Sequence, residues 1–338
     1  MARLALDAMG GDLAPQAPIA GALLALAEID SHHVIQLVGK SETIRAELDR
    51  QLAAPGAPSG VRDRLEIVEA PQVIEMSDRP SAAVRGKPNS SMVVGLKLHA
   101  SGAADGFISA GNTGAQMAAS VVLLKLHEGL TRPAIATLFP TARAPVVVLD
   151  AGANMDCDAM ELVQFARLGS VYAEDILGRD DPVIGLLSVG EEPEKGNAAV
   201  KEAHKLLTGA DLNFVGNVEG RDILTGGGPH GQVDVFVCDG FVGNVLLKFY
   251  ESVPEMVFGM MRRTGVTQEF LDKTFKGFDY SDYGGAPLLG VKGVSIISHG
   301  SSSPRAIKNA IGVALRAIDT HMVDHIGRRL ASCTVSEE

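Results

Sequence analysis

Tryptophan is absent, and aromatic residues of every kind make up only 4% of the 338-residue chain. The core must therefore be built from Ala, Val, Leu and Ile, which suits helices layered tightly on a parallel sheet. Basic residues are in deficit, 30 against 41 acidic, and the resulting net charge of −11 repels nucleic acid and anionic headgroups. Any anionic partner has to meet a local basic patch. Cysteine is scarce: Cys157, Cys238 and Cys333 lie far apart, with no CxxC or Cys/His spacing. That excludes a disulfide framework and a zinc site and points to reduced thiols in a cytoplasmic protein. Long apolar runs are missing too. The longest, Ala17 to Ala27, contains Pro18 and falls well short of the ~20 residues a membrane span needs. The N-terminal Met1-Ala-Arg-Leu-Ala-Leu-Asp7 reaches an acid after its apolar positions, so it reads as a strand and not as a secretory leader.

What remains is 46% hydrophobic and 21% charged, enough to bury a sizeable core and to exclude disorder as the main state. The length fits one large α/β unit over residues 1–338, or two coupled lobes. Short β-branched runs alternate with amphipathic stretches, the pattern of repeated βα units. Strands are predicted at 3–8, 34–38, 65–69, 106–109, 134–139, 146–149, 183–189, 213–215, 233–237 and 294–298. The clearest helix starts with Ser303 as N-cap and Pro304 in the first turn, and carries Ile307, Ile311, Leu315, Ile318, Met322 and Ile326 along one face.

Six strands run into small-residue loops: Asp7 to Asp12, Ser109 to Gly114, Asp150 to Asn154, Ser188 to Gly190, Cys238 to Gly240 and Ser298 to Ser302. In one parallel sheet these would crowd a single crevice at the carboxyl edge, where N–H groups at helix starts hold anions without much formal positive charge. Other motifs fail. Gly226-Gly-Gly-Pro-His-Gly231 contains a proline and precedes a strand, so it is not a dinucleotide site. Gly39-Lys40-Ser41 lacks the glycine a phosphate loop needs five residues earlier, where Val34 stands. There is no GxSxG elbow, and no cysteine sits beside an obvious base. His321 and His325 lack the Glu of HExxH. Neither a metal nor a cofactor is expected.

Seven ordered strings resemble one family: Asp7–Asp12, Ile108–Ala115, Leu149–Asn154, Gly185–Asn197, Gly216–Asp222, Val237–Asn244 and Tyr283–Gly290. They are similar to the phosphate acyltransferases of bacterial phospholipid synthesis, the PlsX type. The resemblance implies a three-layer α/β/α fold with a mainly parallel sheet, similar to phosphate acetyltransferases and isopropylmalate dehydrogenases. It implies transfer of a long fatty acyl group from the thioester of acyl carrier protein to inorganic phosphate, with no covalent intermediate, in a homodimer that supplies a membrane acyltransferase. One departure stands out: Pro88 occupies a position where the family usually has a second lysine, close to Lys87.

Phosphorolysis of a thioester needs fixed reactants and a donor for the developing oxyanion, not a protein nucleophile. Lys195, in the Gly-flanked loop Glu194 to Asn197, is the expected charge partner, and Asn244, after Gly240-Phe-Val-Gly243 at a helix start, the expected amide donor. The phosphate and substrate candidates are Asp7, Gly10, Gly11, Asn112, Thr113, Gly114, Asn154, Gly240, Ser301 and Ser302, with Arg85, Lys87, Ser90 and Ser91 as a further anion-binding group. Val253, Met256, Val257, Met260 and Met261 form an apolar stripe ending in Arg262-Arg263, expected to make 247–276 a helical projection for dimer or membrane contact. Its functional readings are lipid contact or guidance of the acyl chain, and its arginines are candidates for docking the acidic carrier protein. A short-chain phosphate acyltransferase and a decarboxylating dehydrogenase on the same fold stay open as alternatives.

Overall fold

A computed structural model of the chain describes residues 1–228, 231–267, 270 and 284–334. Most of the expected projection beyond residue 267, Pro229 and His230 of the glycine-rich string, Tyr283 of the last family string and the side chain of Cys333 lie outside that set.

The fold is α/β. Two compact units divide it: residues 1–129 with 283–328, and residues 130–282 with 329–338. The first opens with β1 (Arg3–Asp7), α1 (Gln16–Glu28), β2 (Val34–Gly39), α2 (Ser41–Leu52), β3 (Leu65–Glu69), α3 (Pro80–Gly86), α4 (Ser91–Ala100), β4 (Gly106–Ser109) and α5 (Thr113–Leu124). The second contains β5 (Ala134–Ile135), β6 (Thr137–Phe139), β7 (Val146–Leu149), α6 (Ala159–Leu177), β8 (Ile184–Leu187), α7 (Ala198–Thr208), β9 (Phe214–Val218), α8 (Gly220–Thr225), β10 (Gly227–Gly228), β11 (Gly231–Gln232), β12 (Val235–Val237) and α9 (Gly240–Arg263). The chain then returns through β13 (Ala286–Leu289), β14 (Ser295–Ile297), α10 (Pro304–Asp319) and α11 (Met322–Thr334).

In the first unit the strands lie in the order β3-β2-β1-β4-β14-β13. All neighbours are parallel except β13, which is antiparallel to β14. Leu4, Leu6, Ile35, Leu37 and Phe107 are fully buried, as expected of a sheet covered on both faces. Helix α10 packs on α1 so closely that a Cβ on Gly21 would sit 2.5 Å from Ile307 Cβ. In the second unit the order is β6-β7-β12-β8-β9, antiparallel only at β6. Here Phe139, Val148, Val218, Phe236 and Tyr250 form a core against which Val242, Leu246 and Leu247 of α9 pack.

The glycine loops therefore do not share one sheet edge. Those after β1, β4 and β14 end strands of the first sheet; those after β7, β8 and β12 end strands of the second. The expected strand at 134–139 is broken at Ala136 into β5 and β6. The expected long C-terminal helix also breaks: Ser303 caps α10, whose run ends at Asp319, and His321 adopts φ +53° before α11 begins.

Candidate functional site

At the carboxyl edge of the first sheet the polar side chains are occupied in holding the loops. Asp7 is buried; its Oδ1 accepts from Met9 N–H (3.0 Å) and its Oδ2 from the Ser109 hydroxyl (2.7 Å). Burial pushes its carboxyl above the ordinary value, opposed by hydrogen bonds from Ser91, Ser109, Met9 and Gly10. Gly10 is required there by close approach: a Cβ would sit 2.7 Å from Asp7 Oδ2 and 2.8 Å from Gly111 N. Asn112 caps α5 by accepting from Ala115 N–H, while its amide Nδ2 donates to the carbonyls of Glu75, Met76 and Asp78 at 3.1–3.3 Å. Thr113, the first residue of α5, is exposed, and Gly114 lies against Pro80. Gly11, with φ +98°, lies beside the Gly300 carbonyl, which accepts from Asp12 N–H (2.7 Å). The Ser301 hydroxyl meets His299 Nδ1 at 2.7 Å, and Ser302 N–H donates to the His299 carbonyl at 2.9 Å. The cap of α10 is Ser303, whose Oγ accepts from Ala306 N–H.

The further anion group is similarly engaged. Lys87 Nζ donates to Asp78 Oδ2 (2.5 Å) and to the Val73 carbonyl (2.9 Å), and this pairing holds the Asp78 carboxyl below its ordinary value. Arg85 is exposed and donates back to the Ser81 carbonyl. Ser90 caps α4. The Pro88 carbonyl accepts from Lys97 Nζ at 2.9 Å.

The second unit is organised around Asp150, which is fully buried. Its Oδ1 accepts from the N–H groups of Ile135 (3.0 Å), Gly152 (3.2 Å) and Ala153 (3.1 Å); its Oδ2 accepts from the N–H (2.7 Å) and amide (2.9 Å) of Asn154. The Asn154 amide also donates to the Pro133 carbonyl (2.7 Å), and the Asn154 carbonyl accepts from Gly240 N–H (2.6 Å). Helix α9 thus starts on the Asp150 loop. Asp239 caps it, accepting from Val242 N–H at 2.9 Å, so Asn244 falls a turn inside the helix and not at its cap. There it is exposed and lies against Gly152, where φ is +128° and a Cβ would approach Asn244 Cβ to 3.3 Å. Lys195 is exposed in the turn closed by its N–H donating to the Glu192 carbonyl (3.0 Å), and Asn197 caps α7. Because β12 lies between β7 and β8, all parallel, the Asp150 loop, the start of α9 and the Lys195 loop follow adjacent strands about 4.8 Å apart.

Among the described residues, neither the Asn244 amide nor the Lys195 ammonium has a hydrogen-bonding or ionic partner, in contrast to Asn112, Asn154 and Lys87. Among the described side chains of this unit the thiols of Cys157 and Cys238 are buried; burial pushes Cys157 up to about 12 and raises Cys238 well above its ordinary value, so neither of the two is a thiolate available for covalent chemistry. A groove of about 830 Å³ runs beside β9, lined by Pro193, His204 and Phe214 with Glu191, Glu192 and Glu219 on its walls. Its arginine, Arg221, already pairs with Glu191 and Glu219, so the groove is a poor place for phosphate. Sequence reasoning overlooked Asp150 as the organiser of this edge. An Asp closing a buried strand before Ala-Gly-Ala-Asn was the available signal, since such an Asp accepts from the turn that follows it.

Each unit therefore belongs to the class in which a mainly parallel sheet presents glycine turns and helix starts at its carboxyl edge. Solved structures share that fold: a phosphotransacetylase from Streptococcus pyogenes (TM-score 0.63, 19% identity, 94% of each chain) and the EutD phosphotransacetylase from Staphylococcus aureus (0.61, 15%, 94% of each). A family model described as "Fatty acid synthesis protein" matches residues 2–325. Proteins named phosphate acyltransferase are 46% identical in Desulforamulus reducens over all of both chains and 46% identical in Salinibacter ruber over 96% of each. The chain belongs to this family, the PlsX-type phosphate acyltransferases, and is an acyltransferase.

Proposed function

We propose that the protein transfers a long-chain fatty acyl group from the thioester of acyl carrier protein to inorganic phosphate. The observation that carries this reading is the pair of unpartnered polar side chains, Lys195 and Asn244, on loops that follow adjacent parallel strands. A phosphate oxygen attacks the thioester carbonyl, the new C–O bond forms as the C–S bond breaks, and the departing thiolate takes up a proton from phosphate or solvent. The Lys195 ammonium offsets phosphate charge, and the Asn244 amide donates to the carbonyl oxygen as it becomes an oxyanion. The protein's task is positioning, worth roughly 7–11 kcal/mol where both reactants are fixed.

Lys195→Ala and Asn244→Ala are each expected to lower turnover at least tenfold with melting temperature nearly unchanged, because both side chains are exposed and unpartnered. The assay is incubation with palmitoyl carrier protein and phosphate, followed by detection of acyl phosphate; wild-type turnover in both variants removes them from the chemistry.

The reading extends to a cytoplasmic homodimer that touches membrane reversibly to hand its product to a membrane acyltransferase. No helix among the described residues is long and apolar enough to cross a membrane, but α9 keeps Met256 and Met260 exposed near Arg262 and Arg263, a composition suited to an interfacial contact. Replacing both methionines by Glu is expected to release the enzyme from phospholipid vesicles. Unchanged vesicle binding argues against the contact, and loss of the dimer in light scattering assigns the two residues to subunit packing.

A further inference from the structure

We propose that the outward face of α9 next to Asn244, formed by Phe241, Val245 and Phe249, is the track on which the fatty acyl chain lies. The inference rests on the acyl-transfer reading above. These side chains are 61%, 52% and 66% exposed, and their spacing of four keeps them on one face of the helix, stepping along ~12 Å of its axis. Single exposed apolar residues are ordinary; a contiguous line of them, two aromatic, marks a surface that something apolar covers. Val242, Leu246 and Leu247 of the same turns, partly buried, pack on the core that includes Tyr250, so the outward residues are not needed to hold the helix down.

The occupant is identified by continuity with the reacting groups. Asn244 lies in the same turn as Phe241, about 60° from it around the helix, and two more apolar side chains sit on neighbouring loops of the same edge: Met155, 65% exposed, directly after Asn154, and Val189, 82% exposed, in the loop that leads to Lys195. Polar groups suited to a thioester carbonyl and to phosphate are thus fringed by apolar surface that runs on in a single direction, along α9. A hydrocarbon chain attached to that carbonyl has this shape. A bilayer or a second copy covers an apolar stripe wherever it begins, whereas a chain held at the thioester carbonyl requires it to begin beside Asn244.

The test compares butyryl and palmitoyl thioester donors in phosphate for the wild type, Phe249→Glu and Phe249→Leu. Each methylene kept from water is worth roughly fourfold in affinity, so uncovering two or more gives at least tenfold. Phe249→Glu is expected to lower kcat/KM for palmitoyl at least tenfold and to leave butyryl within about twofold, whereas Phe249→Leu stays near wild type with both. Equal losses with both donors, or an unchanged ratio, overturn the track, as does a change from dimer to monomer that accompanies equal losses. Calorimetric binding of palmitate reads the track apart from turnover: at least tenfold weaker binding to Phe249→Glu supports it, and equal binding overturns it. Failure of the wild type to form acyl phosphate from either donor would refute acyl transfer, with the binding measurement still deciding the track.

Discussion

Asp150→Ala is expected to cost the second unit about 4 kcal/mol of stability, because one side chain satisfies an entire turn. Five donors end on its carboxylate: four backbone N–H groups and the Asn154 amide. A buried donor left without a partner costs about 1–3 kcal/mol, and water entering the vacated space recovers only part of the sum. The Asn154 carbonyl that receives Gly240 N–H shifts with the loop, so the start of α9 is loosened as well. Two compact units need not melt together; the transition to follow is that of the second unit, expected to fall by about 10 °C. A change under 1 kcal/mol would mean that the turn holds its shape without the carboxylate.

Asp150→Asn separates shape from charge. Burial pushes the Asp150 carboxyl above its ordinary value, against the hydrogen bonds it accepts. A raised folded value means that the group's contribution to stability is full where folded and unfolded chains both carry the proton, and is lost as pH climbs through the folded value. The asparagine has no proton to lose. Wild type is therefore expected to gain stability relative to Asp150→Asn as pH falls from neutrality toward the ordinary carboxylate range, in paired urea titrations; a constant difference would contradict the sign.

Much of the framework is readable from periodicity because most strands here are short apolar runs between glycine-rich turns. The runs at Leu65–Glu69, Gly106–Ser109 and Val146–Leu149 become strands with those same limits. Strand β13 is hidden by Pro287, a residue that argues against a ladder position, and by its antiparallel pairing with β14. The break at His321 is hidden for the opposite reason: Ile318, Met322 and Ile326 keep helical spacing straight across it, with no Gly or Pro to mark the turn. The division of loops between two sheets depends on strand order, which long-range pairing decides. In the site, Asn112 and Asn244 look equivalent in sequence, each in a glycine-bounded turn. What separates them is the segment from Glu75 to Asp78, whose carbonyls occupy the Asn112 amide from 34–37 residues away, while among the described residues no hydrogen-bonding partner reaches the Asn244 amide. The same blindness displaced the apolar stripe: Val253, Val257 and Met261 match the helical period but are half-buried, and the exposed line is Phe241, Val245, Phe249, Met256 and Met260.

Gly243→Ala sets two effects of opposite sign against each other at one position. Inside a helix, alanine is favoured over glycine by about 1 kcal/mol, so propensity alone predicts a more stable protein. Gly243, however, is on the face of α9 that meets the Asp150 loop. A Cβ there would overlap the Asp150 carbonyl oxygen and come within 3.1 Å of Ala151 Cα. Gly240, one turn earlier, faces the same loop, where a Cβ would come 2.7 Å from Asp150 Oδ2. Backbone on both sides of the contact cannot rotate away as a side chain can, so the first turns of α9 must lift off the loop. Overpacking of this kind costs about 1–3 kcal/mol or more, and lifting also strains the Gly240 to Asn154 hydrogen bond, which brings the expected net loss to about 3 kcal/mol. The same displacement carries Asn244 and Phe241 away from the Lys195 loop, so turnover should fall at least as far as in Asn244→Ala. Thermal melting and the acyl phosphate assay on this single variant check both parts, and a stabilised, fully active Gly243→Ala protein would show that α9 does not seat on the Asp150 loop at all.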